Sequence, residues 1–400
     1  MKYAIIIPDG AADDPLDVLN GKTPFEVAKK PFMDEVARTG RIGTARTVPD
    51  GFESGSDVAT MSLLGYDPAV YHTGRAPLEA AAQRIPLSPS DWVFRCNFVT
   101  TSDGRMRDHS AGGISDAEAD VLIKALSRGI QYPGFTFYKG VSYRNLLVYR
   151  GEERFEVVTR PPHEIPNEEL AANLPKGPGS DVLKSIMNQS VRILDNHPIN
   201  IERKKAGKNP ATQAWLWGQG TAPKVPAFNE KFASELAGRS LKGGMITGVD
   251  LLRGLAVLLG WDVIDVPGIT SFHDTDYAGQ GRATAAALDT HDIVLSHIEA
   301  PDEASHIADH VTKIAAIEAI DQHVVGPVLA KLRTFPEWRL LVLPDHPTNI
   351  ATRKHGYSPT IWAITGSGVK ASNTVAYTER EAAKGEAFER GHELMGSFLR

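Results

Sequence analysis

From Lys242 onward the chain alternates short apolar runs with stretches of helical periodicity, and that alternation leaves few folds open. The apolar runs cover 244–247, 262–266, 292–298, 339–343 and 360–364. Helical patterns fill 248–259, 279–288 and 301–320 or beyond. Another apolar run opens the chain at 3–7, and a helical pattern follows at 23–37. Every run is far shorter than the roughly 18 apolar residues of a membrane helix. Runs that are apolar on both faces suit strands buried between two layers of helices. The expected architecture is therefore α/β, a mostly parallel sheet covered by helices. The run 214–220, which ends in glycines, reads as one more strand of that sheet reaching the site.

The texture changes between about 97 and 180. Short alternating segments at 135–138 and 145–149 surround a helical stretch at 117–126, and a proline-rich stretch at 161–178 closes the region. This reads as a smaller α+β domain, 97–180, inserted into a core made of 1–96 and 181–400. The insert is rich in candidate anion binders, namely Arg95, Arg107, His109, Arg144 and His163.

Composition removes several function classes. A net charge of −6 argues against a nucleic-acid binder. The single cysteine, Cys96, forbids an intrachain disulfide, fits a reducing compartment and reads as a small buried hydrophobe. The chain opens directly on a strand, without a signal-peptide pattern, so a cytoplasmic protein with no membrane partner is expected.

The apolar runs end in chemistry. Run 3–7 leads into Pro8-Asp9-Gly10, and run 339–343 into Pro344-Asp345-His346, with His355 nine residues further. After run 292–298, Asp302 and His306 stand at i and i+4, on one helical face. Open α/β sheets place their ligands at the carboxyl ends of strands. Ser56 closes a Gly/Ser-rich loop at the head of another helical pattern. It suits either a capping serine or a nucleophile. Asp9 likewise suits a turn or a site. Together these seven oxygen and nitrogen donors, Asp9, Ser56, Asp302, His306, Asp345, His346 and His355, exceed one tetrahedral site and suit two ions around a phosphoryl group. His297, Asp309, His310 and His323 are further candidates.

These stretches resemble the alkaline-phosphatase superfamily, and within it the cofactor-independent phosphoglycerate mutases of the archaeal type, together with a bacterial branch that carries a homoserine kinase label. The resemblance rests on I-I-I-P-D-G-A-A-D (5–13), G-S-D-V-A-T-M-S-L-L-G-Y-D-P (55–68), T-G-R-A-P-L-E-A (73–80), F-R-C-N (94–97), S-A-G-G-I-S (110–115) and W-L-W-G-Q-G (215–220). It continues through L-K-G-G-M-I-T-G-V-D-L-L-R-G (241–254), H-I-E-A-P-D-E-A-S-H (297–306), P-D-H-P-T (344–348) and H-G-Y-S-P (355–359). It implies an alkaline-phosphatase-like core with a substrate-capping insert. It implies one metal on Asp302, His306 and His355, and a second on Asp9, Asp345 and His346 with Ser56 as nucleophile. The ions implied are Mn²⁺ or another divalent such as Mg²⁺, Co²⁺ or Zn²⁺, with no bisphosphoglycerate. The substrate implied is a small phosphorylated acid, 3-phosphoglycerate, with Arg75, Arg95, Arg203 and Lys242 binding its phosphate and carboxylate. A homo-oligomer is compatible with all of this. Two positions depart from the pattern: Thr60 stands where the family commonly has asparagine or histidine, and Gly113 where it has histidine.

The rival readings are a phosphatase or another phosphotransferase on a small acid. A kinase lacks its G-x-x-x-x-G-K-[S/T] loop. A dinucleotide fingerprint at 366–371 fails because no helical pattern follows it.

Overall fold

The apolar runs become the middle of one eight-stranded sheet in the computed structural model, which describes residues 1–400. Its strands are β1 (Lys2–Pro8), β2 (Arg41–Ala45), β3 (Gly243–Ile246), β4 (Asp262–Val263), β5 (Ile293–Ile298), β6 (Trp338–Val342), β7 (Thr360–Gly366) and β8 (Glu386–Phe388). Their order across the sheet is β8-β2-β7-β6-β1-β5-β3-β4. From β6 to β4 every neighbour is parallel, and β7 is antiparallel to both β6 and β2. The register places Pro8 beside Ile298 and Ile6 beside Val342, so β6, β1 and β5 end together at one carboxyl edge. These strands and their covering helices form a unit of 1–72 and 225–400. Its core packs Ala4, Ile6, Val294 and Leu340 against Val325, Val328 and Leu329.

Two helical expectations are corrected. The stretch 23–37 is two helices, Pro24–Val27 and Pro31–Thr39. Pro31 disfavours the helical region for Lys30, which sits at φ −135°, ψ 61°. The stretch 301–320 breaks after His306. Ala308 turns left-handed at φ 59°, and Asp309 restarts the chain by capping the N–H groups of Val311 and Thr312. Strand β2, with Gly43 at its centre, was not expected. Gly43 lies so close to the backbone of Glu386 that a Cβ there would overlap its carbonyl.

The second unit, 73–224, is wider than the expected insert at 97–180. Strand Trp92–Ser102 pairs with Gln213–Thr221, Arg144–Tyr149 and Arg105–Asp108, all antiparallel. The run 214–220 is thus a strand of this second sheet, which corrects its assignment to the core sheet. Helix Ser180–Leu194 also belongs here, burying Leu183, Ile186 and Met187 with Trp215 and Leu216. Cys96 is buried in the same cluster, and burial pushes its thiol up to about 12, as suits an inert hydrophobe. No helix of the protein is long and apolar enough to cross a membrane.

Asp321 ties helix Pro31–Thr39 to the core unit by accepting the N–H groups of Met33 and Phe32 at 2.6 and 3.2 Å. Burial nevertheless pushes its carboxyl up to about 6. A raised folded-state value favours the protonated carboxyl, so its stabilisation is complete at low pH and is lost as pH rises from about 4 to about 6. Over that window the wild type should lose stability relative to Asp321→Asn in thermal unfolding. Parallel curves for the two proteins would contradict this.

Candidate active site

The three central strands deliver three carboxylates to one place. Asp9 follows β1, Asp302 enters from the helix Ala300–His306 after β5, and Asp345 with His346 follows β6. The short hairpin pairing Thr348 with His355 brings in the last histidine. Gly10 makes the close approach possible. Its φ is 60°, and a Cβ there would come within 2.5 Å of Asp302 Oδ1.

Two groups of donors result. His306 Nε2 lies 3.0 Å from Asp302 Oδ2 and 3.0 Å from His355 Nε2, while His355 Nε2 is 3.5 Å from Asp302 Oδ1. His346 Nε2 lies 3.5 Å from Asp9 Oδ1 and 3.6 Å from Asp345 Oδ2. Asp302, His346 and His355 also converge within 4.8 Å, as do Asp9, Asp345 and His346. The Nδ1 atoms of His306 and His355 face the carbonyls of Arg353 and Ser54, at 3.0 and 2.8 Å. A carbonyl can only accept, so Nδ1 carries a proton and Nε2 is the nitrogen turned inward toward the carboxylates. Ser56, first residue of helix Ser56–Leu63, places Oγ 3.1 Å from Asp9 Oδ2 and 3.4 Å from His346 Nε2.

The donors fit divalent cations. Asp9 Oδ1 and Asp345 Oδ2 are buried without a hydrogen-bond partner. So is His297 Nε2, 3.0 Å from Asp9 Oδ2 but not aligned to bond it. Carboxylate oxygens and imidazole nitrogens suit Mn²⁺ or Zn²⁺. Asp309 is a helix cap, and neither it nor His310 or His323 joins these groups.

The second unit carries its own polar cluster. Arg95 stacks over Trp217 at 4.5 Å and donates Nη2 to Glu79. Arg95 Nε, Trp217 Nε1 and Asn97 Oδ1 are buried without partners. His163 lies 5.4 Å from Trp217 and 6.2 Å from His109, ring to ring. Burial, with His109, Arg75, Arg95 and Arg144 nearby, pulls His163 down to about 4. The guanidinium groups beside the unused N–H donors of Arg95 and Trp217 suit an anion, whereas Asn97 Oδ1 is an unused acceptor. Trp217 and Asn97 lie in the 215–220 and 94–97 motifs but had no expected role, and strand pairing sets Trp217 opposite Arg95.

Two expected substrate residues stand elsewhere. Arg203 is buried, and its guanidinium is used by Asn209 O, Glu118 Oε2 and Ala111 O at 2.7–2.9 Å. It braces the loop that contains Gly112 and Gly113. Lys242 precedes β3, at the amino edge of the sheet, and pairs with Asp262. Of the two departures, Thr60 is buried with Oγ1 unpartnered, and Gly113 is exposed with open space at its Cβ position.

Comparison with known proteins gives the chain a family. A family model described as 2,3-bisphosphoglycerate-independent phosphoglycerate mutase matches residues 37–200. A protein of that name from Methanothrix thermoacetophila is 49% identical over 386 residues, 96% of each chain. The chain belongs to the 2,3-bisphosphoglycerate-independent phosphoglycerate mutase family. Among solved structures, a protein from Pyrococcus horikoshii superposes with a TM-score of 0.81 at 27% identity, over 100% of this chain and 96% of the other. The cofactor-independent phosphoglycerate mutase of Thermoplasma acidophilum superposes with a TM-score of 0.66 at 27% identity, over 100% and 99%.

Electrostatics in this mutase-family site follow from burial. Burial, then the Asp345 and Asp302 carboxylates, pushes Asp9 well above the carboxylate range. Burial opposes ionisation of Asp302, but hydrogen bonds from His306 and His355 outweigh it and hold Asp302 well below that range. The Asp302 contact raises His306 to about 9. Burial lowers His297 to about 4. A cation that binds Nε2 of His306 must therefore displace a proton near neutral pH. Mn²⁺ titrations at pH about 7.5, in buffers of different ionisation enthalpy, should report proton release, with affinity rising as pH approaches about 9. Heats independent of the buffer would contradict this.

Proposed function

We propose that the protein interconverts 3-phosphoglycerate and 2-phosphoglycerate through a phosphoserine at Ser56, without bisphosphoglycerate. The position of Ser56 carries the reading, because its hydroxyl touches Asp9 and His346 inside the buried donor groups. Asp302, His306 and His355 would hold one divalent ion, and Asp9, Asp345 and His346 with Ser56 the other. Mn²⁺ suits these donors, and Mg²⁺, Co²⁺ or Zn²⁺ could replace it. Bound there, such ions lower the pKa of a serine hydroxyl and offset charge on phosphoryl oxygens.

In this reading Ser56 Oγ bonds to phosphorus as the bond from phosphorus to O3 breaks. The hydroxyl already donates to Asp9 Oδ2, so its proton has an acceptor before it passes to the leaving O3. Glycerate then turns, and its O2 bonds to phosphorus as the bond from phosphorus to Ser56 Oγ breaks, with the O2 proton returning to Oγ. Helix Ser56–Leu63 has no side-chain cap, which leaves its first N–H groups for phosphoryl oxygens. Arg75 and Arg95 of the 73–224 unit are assigned to the substrate carboxylate in this reading.

Protein stripped of metal and reloaded with Mn²⁺ is incubated with 3-phosphoglycerate alone and followed by phosphorus NMR. A 2-phosphoglycerate signal should grow and vanish on chelation. Ser56→Ala should lose roughly a thousandfold or more in rate while keeping its fold. Inorganic phosphate as the sole product would favour the phosphatase reading, and normal activity of Ser56→Ala would exclude Ser56 as nucleophile.

A further inference from the structure

Lys313 is fully buried in the helix His310–Ile320, outside every motif that supplies the donor groups. Its Nζ donates to Thr348 O at 2.8 Å, Asp13 Oδ2 at 2.9 Å and Ala12 O at 3.3 Å, which uses all three of its protons. Asp13 in turn accepts the N–H groups of Asp14 and Ile350 at 2.9 and 3.2 Å. A lysine withdrawn this far from water is costly to keep charged, and burial does depress its proton affinity. A hydrophobic residue would fill the same space without that cost, so the lysine calls for an explanation.

The three acceptors supply one. Ala12 and Asp13 lie on the loop after β1, three and four residues beyond Asp9. Thr348 opens the hairpin that ends at His355, two residues beyond His346. Lys313 itself sits on the helix that follows His306. One ammonium group thus joins the segments that carry Asp9, His306, His346 and His355. Thr348, whose carbonyl Lys313 holds, places its hydroxyl 2.5 Å from Asp302 Oδ1 and 3.2 Å from His346 Nδ1. Its N–H donates to Ala12 O at 3.1 Å.

We propose that Lys313 is a positioning residue: through Asp13, Ala12 and Thr348 it fixes the spacing of Asp9, Asp302 and His346, and thereby the affinity of the donor groups for divalent cations. This rests on the two-ion reading above. Other roles predict different outcomes. If Lys313 acted only through its charge, removing it would tighten cation binding. If it only stabilised the fold, removing it would lower the melting temperature and leave the cation affinity of the folded protein unchanged.

The test is a calorimetric Mn²⁺ titration of the full-length protein after metal stripping, with circular dichroism to confirm folding. Lys313→Met combined with Asp13→Asn removes the pair without changing net charge, and Thr348→Val cuts the link to Asp302 without touching the pair. Both should bind Mn²⁺ at least about tenfold more weakly. In both, kcat should fall with KM for 3-phosphoglycerate nearly unchanged. Wild-type affinity, or tighter binding, in the folded variants overturns the positioning role and leaves the two-ion reading standing. Failure of the wild type to bind Mn²⁺ overturns both.

Discussion

Asp9, Asp302 and Asp345 are no more than 5% exposed, and they meet at the end of three adjacent strands. Three carboxylates this close and this dry repel one another and lack water, so they persist only beside protons or cations. His297, His306, His346 and His355 surround them but leave two of the carboxylate oxygens without a hydrogen bond. The rest of the core unit is arranged so that this unfavourable cluster can exist. Strands β6, β1 and β5 are parallel and in register, which lets every loop after them emerge on one side. Gly10 lets the first loop pass against Asp302 where no other residue fits.

The two units divide the chemistry by type of donor. The core unit concentrates oxygen and imidazole donors, which hold hard or borderline cations. The second unit gathers guanidinium groups beside the buried N–H donors of Arg95 and Trp217, which suits an anion. Arg203 shows that a cation in the right unit need not belong to either set. Its guanidinium is taken up by Glu118 and by the carbonyls of Asn209, Ala111 and Gly112, so it braces that loop and contributes no free donor.

Much of the core was legible in the sequence because its strands are buried on both faces and end in Asp or His. That pattern places Asp9, Asp302 and Asp345 at one edge without any knowledge of their contacts. Lys242 was misplaced for the complementary reason: it lies before a strand rather than after one, and in a parallel sheet that means the opposite edge. Arg203 was misread because sequence gives no measure of how many carbonyls a loop will aim at a guanidinium. The second unit extends past the expected border because strand Trp92–Ser102 pairs with Gln213–Thr221, a partner far along the sequence that no local pattern announces. Lys313 carried no signal, since a buried lysine inside a helical pattern looks like any solvated one until its three acceptors are known, and Thr348, although it closes the 344–348 motif, showed no sign of its link to Asp302.

The most direct test of the account is the anomalous diffraction of crystals of the Mn²⁺-loaded protein, collected at the manganese edge. Two peaks are expected, one between Asp302, His306 and His355, the other between Asp9, Asp345 and His346 beside Ser56. A single peak shared by Asp302, His346 and His355, or none, would contradict it.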